Sequence, residues 1–102
     1  MHYMIDIDGT ICGPKDPVTG YSGVKPYKER IAKINALYDA GHQITYWTAR
    51  GMSTNVDYTE LTLSQLAAWG CKYDELKMRK PSYDVWVDDK AFNSEDFFMG
   101  LK

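Results

Sequence analysis

Cysteine is scarce in this chain. Cys12 and Cys71 stand far apart with no CxxC spacing, which argues against a zinc knuckle or a disulfide framework and leaves two reduced thiols as the expectation. Long apolar runs are missing too: none approaches the ~20 residues a membrane-spanning helix needs. The first strand-like run is too short and too charged for a secretory signal, so a cytoplasmic location with no membrane partner is expected. Basic excess is also absent. Twelve Lys and Arg against 14 Asp and Glu give a formal net charge of −2, so no broad cationic field exists for a phosphate backbone and no nucleic-acid partner is expected. Internal repeats and low-complexity tracts do not occur. What is present, 44% hydrophobic and 25% charged residues in 102, suits one globular domain over residues 1–102 with roughly 65% of its unfolded surface buried.

The order of elements follows from periodicity. The apolar run Tyr3 to Ile7 ends at Asp8-Gly9-Thr10 and predicts a buried strand stopped by a turn. A loop rich in Gly, Pro, Asp and Ser runs from Gly13 to Val24. Pro26 then stands near a helix start, and Ile31, Ile34, Leu37 and Tyr38 recur at helical spacing up to a stop at Gly41. Ile44 to Thr48 is β-branched and aromatic and predicts a second strand. Asp57 and Glu60 open a second helix carrying Leu63, Leu66 and Ala67, closed at Gly70. Leu76 to Met78 reads as a third strand, Tyr83 to Val87 as a fourth, and Ser94 as the cap of a short last helix.

Alternating strands and helices predict an α/β fold, a three-layer Rossmann-like parallel sheet with helices on both faces. Ligands in such sheets bind at the carboxyl ends of the strands. The polar residues collect at those ends: Asp6 and Asp8 after the first strand, Thr48 and Arg50 after the second, Asp88 and Asp89 after the last.

Asp6-Ile7-Asp8-Gly9-Thr10 alone is a weak signal, because Asp-Gly is a common turn dipeptide. Joined in order by Thr48, Lys80 and Asp88-Asp89, it resembles the four motifs of the haloacid dehalogenase superfamily, and the match covers nearly the whole chain. Leu37 to His42, Thr48 to Met52, Trp69 to Tyr73 and Val87 to Ala91 are similar to small capless phosphatases associated with bacterial capsule or surface-polysaccharide biosynthesis. A more distant likeness is to 3-deoxy-manno-octulosonate 8-phosphate phosphatase. Neither gap in which superfamily members carry a cap is long enough here for one.

The resemblance implies a phosphoric monoester hydrolase. Asp6 would attack phosphorus and form an aspartyl phosphate that water hydrolyses, and Asp8 would act as general acid and then general base. Thr48, Ala49 and Arg50 would bind the phosphate or a second acidic group of the substrate, and Lys80 would pair with Asp6 and neutralise the phosphate. Magnesium is the implied cofactor, held by Asp6, the backbone carbonyl of Asp8 and Asp88, with Asp89 orienting a metal-bound water or Lys80. The implied substrate is a small sugar or polyol phosphate, and an open, capless site implies a homo-oligomer.

Each assignment has a plainer counterpart. Arg50 reads equally as an exposed structural arginine, and Lys80 has Lys77, Arg79 and Lys90 as basic neighbours. Trp47 and Trp69 read as core, His2 and His42 as structural or solvent-facing, and Tyr21 and Tyr27 as packing beside the loop. Two rival functions stay open. A receiver-like phosphorylatable module uses similar residue types, with its acidic pair and its phosphorylated Asp in the opposite order. A phosphoryl-ligand binding protein without catalysis would not need both Asp6 and Asp8.

Overall fold

The computed structural model describes residues 1–99. Three strands, β1 (His2–Ile5), β2 (Gln43–Trp47) and β3 (Glu75–Lys77), form one parallel sheet in the order β1-β2-β3. Helix α1 (Lys28–Asp39) connects the first two, α2 (Thr59–Ala68) the next two, and a short α3 (Ser94–Phe97) follows the sheet. These are the expected elements in the expected order, with ends displaced by one or two residues. The helix stops are those read from sequence. Gly41 and Gly70 take φ of 96° and 71°. The amides of His42 and Gly41 bond the carbonyls of Leu37 and Tyr38, and those of Cys71 and Gly70 bond Leu66 and Ala67. Both helices therefore close in the paired-bond glycine motif, which needs a left-handed residue at that position.

Register sorts the side chains onto two faces. Tyr3 pairs with Ile44, Ile5 with Tyr46, and Tyr46 with Leu76. On this face Ile5, Ile44 and Tyr46 join Ile31 and Ile34 of α1, Leu66 of α2 and Phe98 after α3 in a single core. The other face carries His2, Met4, Thr45 and Trp47. On it the His2 ring bonds the Thr45 hydroxyl at 2.8 Å and the Trp86 ring lies edge-on to Trp47 at 6.3 Å. Among the described residues the sheet thus has two layers where the sequence predicts three. The cause is strand order: with β1, β2 and β3 side by side in sequence order, crossovers of one hand put both helices on the same face.

The predicted fourth strand is a second difference. Tyr83 to Val87 has no strand pairing, and Val85 and Val87 are exposed. Local contacts hold the segment instead, with Trp86 against Tyr83 at 5.0 Å and the Lys90 amide donating to Asp88 at 2.8 Å. At α3 the cap is Asn93, whose side chain accepts from the Glu95 amide, so Ser94 is the first helical residue. Among the described residues no helix is long and apolar enough to cross a membrane.

Ile34 sits at the centre of the one-sided core and is fully buried. Ile34→Ala is expected to cost about 2–5 kcal/mol through lost transfer energy and a residual cavity. Urea unfolding followed by circular dichroism checks this, with a lowered midpoint at unchanged slope as the expected result.

Candidate active site

The carboxyl ends of β1 and β2 meet in a network of backbone hydrogen bonds that positions the candidate residues. Beyond β1 the chain turns sharply: the amides of Thr10 and Ile11 both donate to the Ile7 carbonyl, and Gly9 takes φ of 78°. Ile7, Ile11 and Cys12 are buried beneath this turn, which leaves Asp6 and Asp8 at its polar side. Beyond β2 the Thr48 amide donates to the Lys77 carbonyl at 3.0 Å, and the Lys80 amide donates back to the Thr48 carbonyl at 3.0 Å. Parallel pairing of β2 with β3 therefore extends past the strands and brings Lys80 beside Thr48.

Asp6 faces a cation. Lys80 Nζ lies 3.8 Å from Asp6 Oδ1, and Thr10 Oγ1 donates to Oδ2 at 3.4 Å. Burial pushes the Asp6 carboxyl above its ordinary value of 3.8; Lys80, the Ile7 amide and Thr10 oppose that rise, and Asp8 adds to it. Burial disfavours a charge held away from water, and here it outweighs the nearby cation. Lys80 is itself packed, with Nζ 5.4 Å from the ring centres of both Tyr83 and Trp86.

Asp8 has a different partner. Arg50 Nε donates to Oδ2 and Nη2 to Oδ1, both at 2.9 Å, a two-pronged pair,. Arg50 Nη1 donates to Thr62 Oγ1 at 3.2 Å and to Gln65 Oε1 at 2.6 Å. Four of the five guanidinium N–H groups are thus used within the chain,. The side chain is 0% exposed. This corrects the expectation that Arg50 clamps a substrate, since a guanidinium so buried and so occupied has no free edge to offer. Burial, then Asp8, pushes the nearby Cys12 thiol up to about 12, and burial takes Cys71 to about 11. Both are poor nucleophiles at neutral pH.

Thr48 is buried, and its hydroxyl oxygen accepts from the Arg50 amide at 3.1 Å. Ala49 is half-buried in the same turn. The turn continues into a loop closed by Gly51, which has φ of 86° and whose Cβ, if it had one, would collide with the Val56 carbonyl. Beside it lies a cavity of about 210 Å³ lined by Met52, Val56, Tyr58 and Met78 with Asn55 and Arg79. Asn55 and Arg79 both have positive φ, 58° and 64°. Non-glycine residues held this way mark a backbone that its surroundings over-determine.

The structure therefore brings together Asp6, Asp8, Thr48, Ala49, Arg50 and Lys80. It does not gather Asp88 and Asp89 with them. Both are exposed, and Asp88 bonds the Lys90 amide and the Trp86 indole, contacts that with Asp89 hold its carboxyl below the usual range. Among the described residues no three His, Cys, Asp or Glu side chains are placed to hold a metal ion. The magnesium set expected from sequence, Asp6, the backbone carbonyl of Asp8 and Asp88 with Asp89 beside it, is therefore not assembled among the described residues. Thr62, Gln65 and Tyr21 are members the sequence did not assign. Thr62 and Gln65 are three apart in α2, the spacing that puts two side chains on one helix face.

No family model and no curated protein matches the chain. Among solved structures it is similar to a crystal structure of a target protein from Vibrio cholerae, with a TM-score of 0.85 and 24% identity over 96% of this chain and 87% of that one. It is also similar to a chain in the structure of a Pnkp1/Rnl/Hen1 complex, with a TM-score of 0.60 and 20% identity over 97% of this chain. This chain spans 34% of that one. At such identities the likeness carries the fold alone, and the fold is a small α/β domain built on a three-stranded parallel sheet.

Proposed function

We propose that this chain is a phosphate monoester hydrolase of haloacid dehalogenase type in which Asp6 is the nucleophile. The observation that carries this proposal is the placement of Asp6: a partly buried carboxylate at the end of β1, 3.8 Å from Lys80, with Asp8 two residues on and clamped by Arg50. An Asp6 oxygen attacks phosphorus as the bond to the leaving oxygen breaks, giving an aspartyl phosphate. Asp8, entering this step protonated on the oxygen lone pair that Arg50 leaves free, passes that proton to the departing alkoxide and becomes a carboxylate,. Water then attacks phosphorus, Asp8 takes its proton, and the Asp6 carboxylate and inorganic phosphate are released.

Repulsion is the obstacle to the first step. Two unit charges ~3.5 Å apart at an effective dielectric near 20 repel by about 5 kcal/mol, so a dianion cannot approach Asp6 without a compensating cation. Lys80 supplies one. Magnesium would supply another by drawing charge from the phosphate oxygens, but its expected ligand set is not assembled here, and no step above depends on it. Assays with magnesium and with a chelator separate the two sources of compensation. Turnover that survives chelation rests on Lys80. Turnover lost on chelation requires a cation bound at Asp6 with further donors.

A sugar or polyol phosphate is the substrate class the resemblance suggests; the cavity beside the Arg50 to Tyr58 loop is lined by none of Asp6, Asp8, Thr48 and Lys80. Homo-oligomer formation, covering the exposed Val85, Val87 and Phe92, belongs to the same proposal,. The test is release of inorganic phosphate from a panel of sugar, polyol and nucleotide monophosphates. Turnover of at least one monoester, with an acid-stable phosphoryl group trapped on Asp6 at early times, is the expected result. Phosphorylation without turnover would favour the receiver-like module. Binding of phosphate esters with neither would favour the non-catalytic binding protein.

A further inference from the structure

We infer that Arg50 is a positioning residue for Asp8, holding that carboxylate in the orientation proton transfer needs; this inference rests on the proposed role of Asp8. Three features of the geometry support it. The two bonds to Asp8 are equal at 2.9 Å and come from Nε and Nη2, so the guanidinium plane fixes the plane of the carboxylate as well as its position,. A lysine in its place would fix only a distance.

The arginine is itself held from every side. Nη1 is bonded to Thr62 and Gln65 of α2, the Tyr21 ring lies 4.7 Å from the guanidinium carbon, and Gln65 Nε2 donates to the Tyr21 carbonyl at 2.7 Å. Tyr21 also packs edge-on against Tyr58 at 4.9 Å. The loop after β1, the turn after β2 and the α2 helix therefore meet at one guanidinium. Rotation of Asp8 would have to disturb all three.

Stability alone is a poor reason for such a pair. Removing two charges from water costs several kcal/mol per ion, and apolar side chains of similar volume commonly do as well. What a pair bonded at both carboxylate oxygens provides is a fixed orientation, and the carboxylate fixed here is two residues from Asp6. Asp8 Oδ1 accepts from Arg50 Nη2 and, at 3.6 Å, from the Cys12 thiol, whereas Oδ2 accepts from Arg50 Nε and retains a lone pair for a proton,.

The experiment compares wild type with Arg50→Lys, Arg50→Ala and Gln65→Leu on the best monoester of the panel, with folding followed by circular dichroism. Arg50→Lys is expected to lower kcat about 100-fold, the scale of a misplaced general acid–base group, with KM within about threefold of wild type. Guanidinium ion added to Arg50→Ala is expected to restore at least about tenfold of the lost rate, and methylammonium none, because only a planar fork rebuilds both bonds. Gln65→Leu leaves the Asp8 bonds in place and lowers kcat several-fold at unchanged KM, which keeps the test open if Arg50→Ala does not fold. A raised KM at unchanged kcat in Arg50→Lys would make Arg50 a substrate ligand and overturn the inference. So would losses that follow the unfolded fraction with no rescue and no effect of Gln65→Leu. If wild type itself hydrolyses no monoester, the parent proposal fails; if wild type is active and Arg50→Lys keeps its kcat, this inference alone fails.

Discussion

Asp6→Asn is expected to abolish turnover and, at neutral pH, to leave the protein slightly more stable than wild type. Loss of the attacking oxygen removes the covalent route, so kcat falls by at least about 10⁴-fold, and no phosphoenzyme is trapped. The stability effect has its own cause. Burial raises the Asp6 carboxyl above 3.8 in the folded chain even though Lys80, Ile7 and Thr10 favour its charge. A carboxyl raised in this way contributes its full stability below the unfolded value and loses it as pH rises through the folded value. Asparagine carries no charge and suffers no such loss. The Asp6→Asn and wild-type melting curves should therefore converge in acid and separate as pH climbs from about 4 toward neutrality, with the variant melting higher. Asp6 is 38% exposed, so much of its hydration survives and the gain is about 1 kcal/mol or less,. Phosphate release and thermal melts across pH check both halves. A variant that melts lower at neutral pH would mean the Lys80 and Thr10 contacts outweigh burial, and a variant that still turns over would remove Asp6 from the chemistry.

A proposed nucleophile whose burial is expected to work against the fold is in keeping with active sites in general, where function is retained against stability. Asp6 has this character because of where β1 ends. Ile5 and Ile7 are buried on either side of it, so Asp6 is drawn toward the interior by neighbours that belong there. The strand itself was legible in the apolar run from Tyr3 to Ile7; the partial burial of Asp6 was not. The glycine stops of both helices and the β-branched second strand were legible as well, because each depends on local physics: left-handed backbone, apolar spacing, side-chain branching.

Features that depended on partner choice were not legible. Tyr83 to Val87 has strand composition, but a strand exists only where an edge accepts it, and here Trp86 packs against Trp47 and Tyr83 instead. Asp88 follows that segment and spends its carboxylate on Trp86 and the Lys90 amide. The number of layers depended on strand order, which no single window of sequence reports. Arg50 was the clearest case. Its position after Thr48 identified it as part of the site, but whether it faced a substrate or Asp8 was decided by Thr62 and Gln65, more than ten residues away. Their spacing of three placed them on one helix face without saying which way that face would turn.

Lys80 is where charge compensation can be measured directly. Lys80→Met keeps a flexible apolar stem to pack near Tyr83 and Trp86 and removes the charge 3.8 Å from Asp6. Two effects follow from that one deletion. The incoming phosphate loses a cation worth about 4 kcal/mol of gross attraction at that separation and a dielectric near 20. Much of this is returned by solvent, so a fall in kcat/KM of about 10²–10³-fold is expected. The second effect is on ionisation. Lys80 is the largest influence holding the Asp6 carboxyl down; without it the carboxyl rises further, less Asp6 is ionised at a given acidic pH, and the acid limb of the kcat/KM profile moves to higher pH. The direction separates this role from simple substrate binding. A lysine that only held phosphate would raise KM and leave the acid limb in place, whereas one that also tunes the nucleophile moves both. Measuring kcat/KM from pH 4 to pH 8 (roughly the span in which carboxyl and phosphate groups titrate) for wild type and Lys80→Met decides between them, and an unmoved limb with unchanged turnover would leave Asp6 without the cation its attack requires.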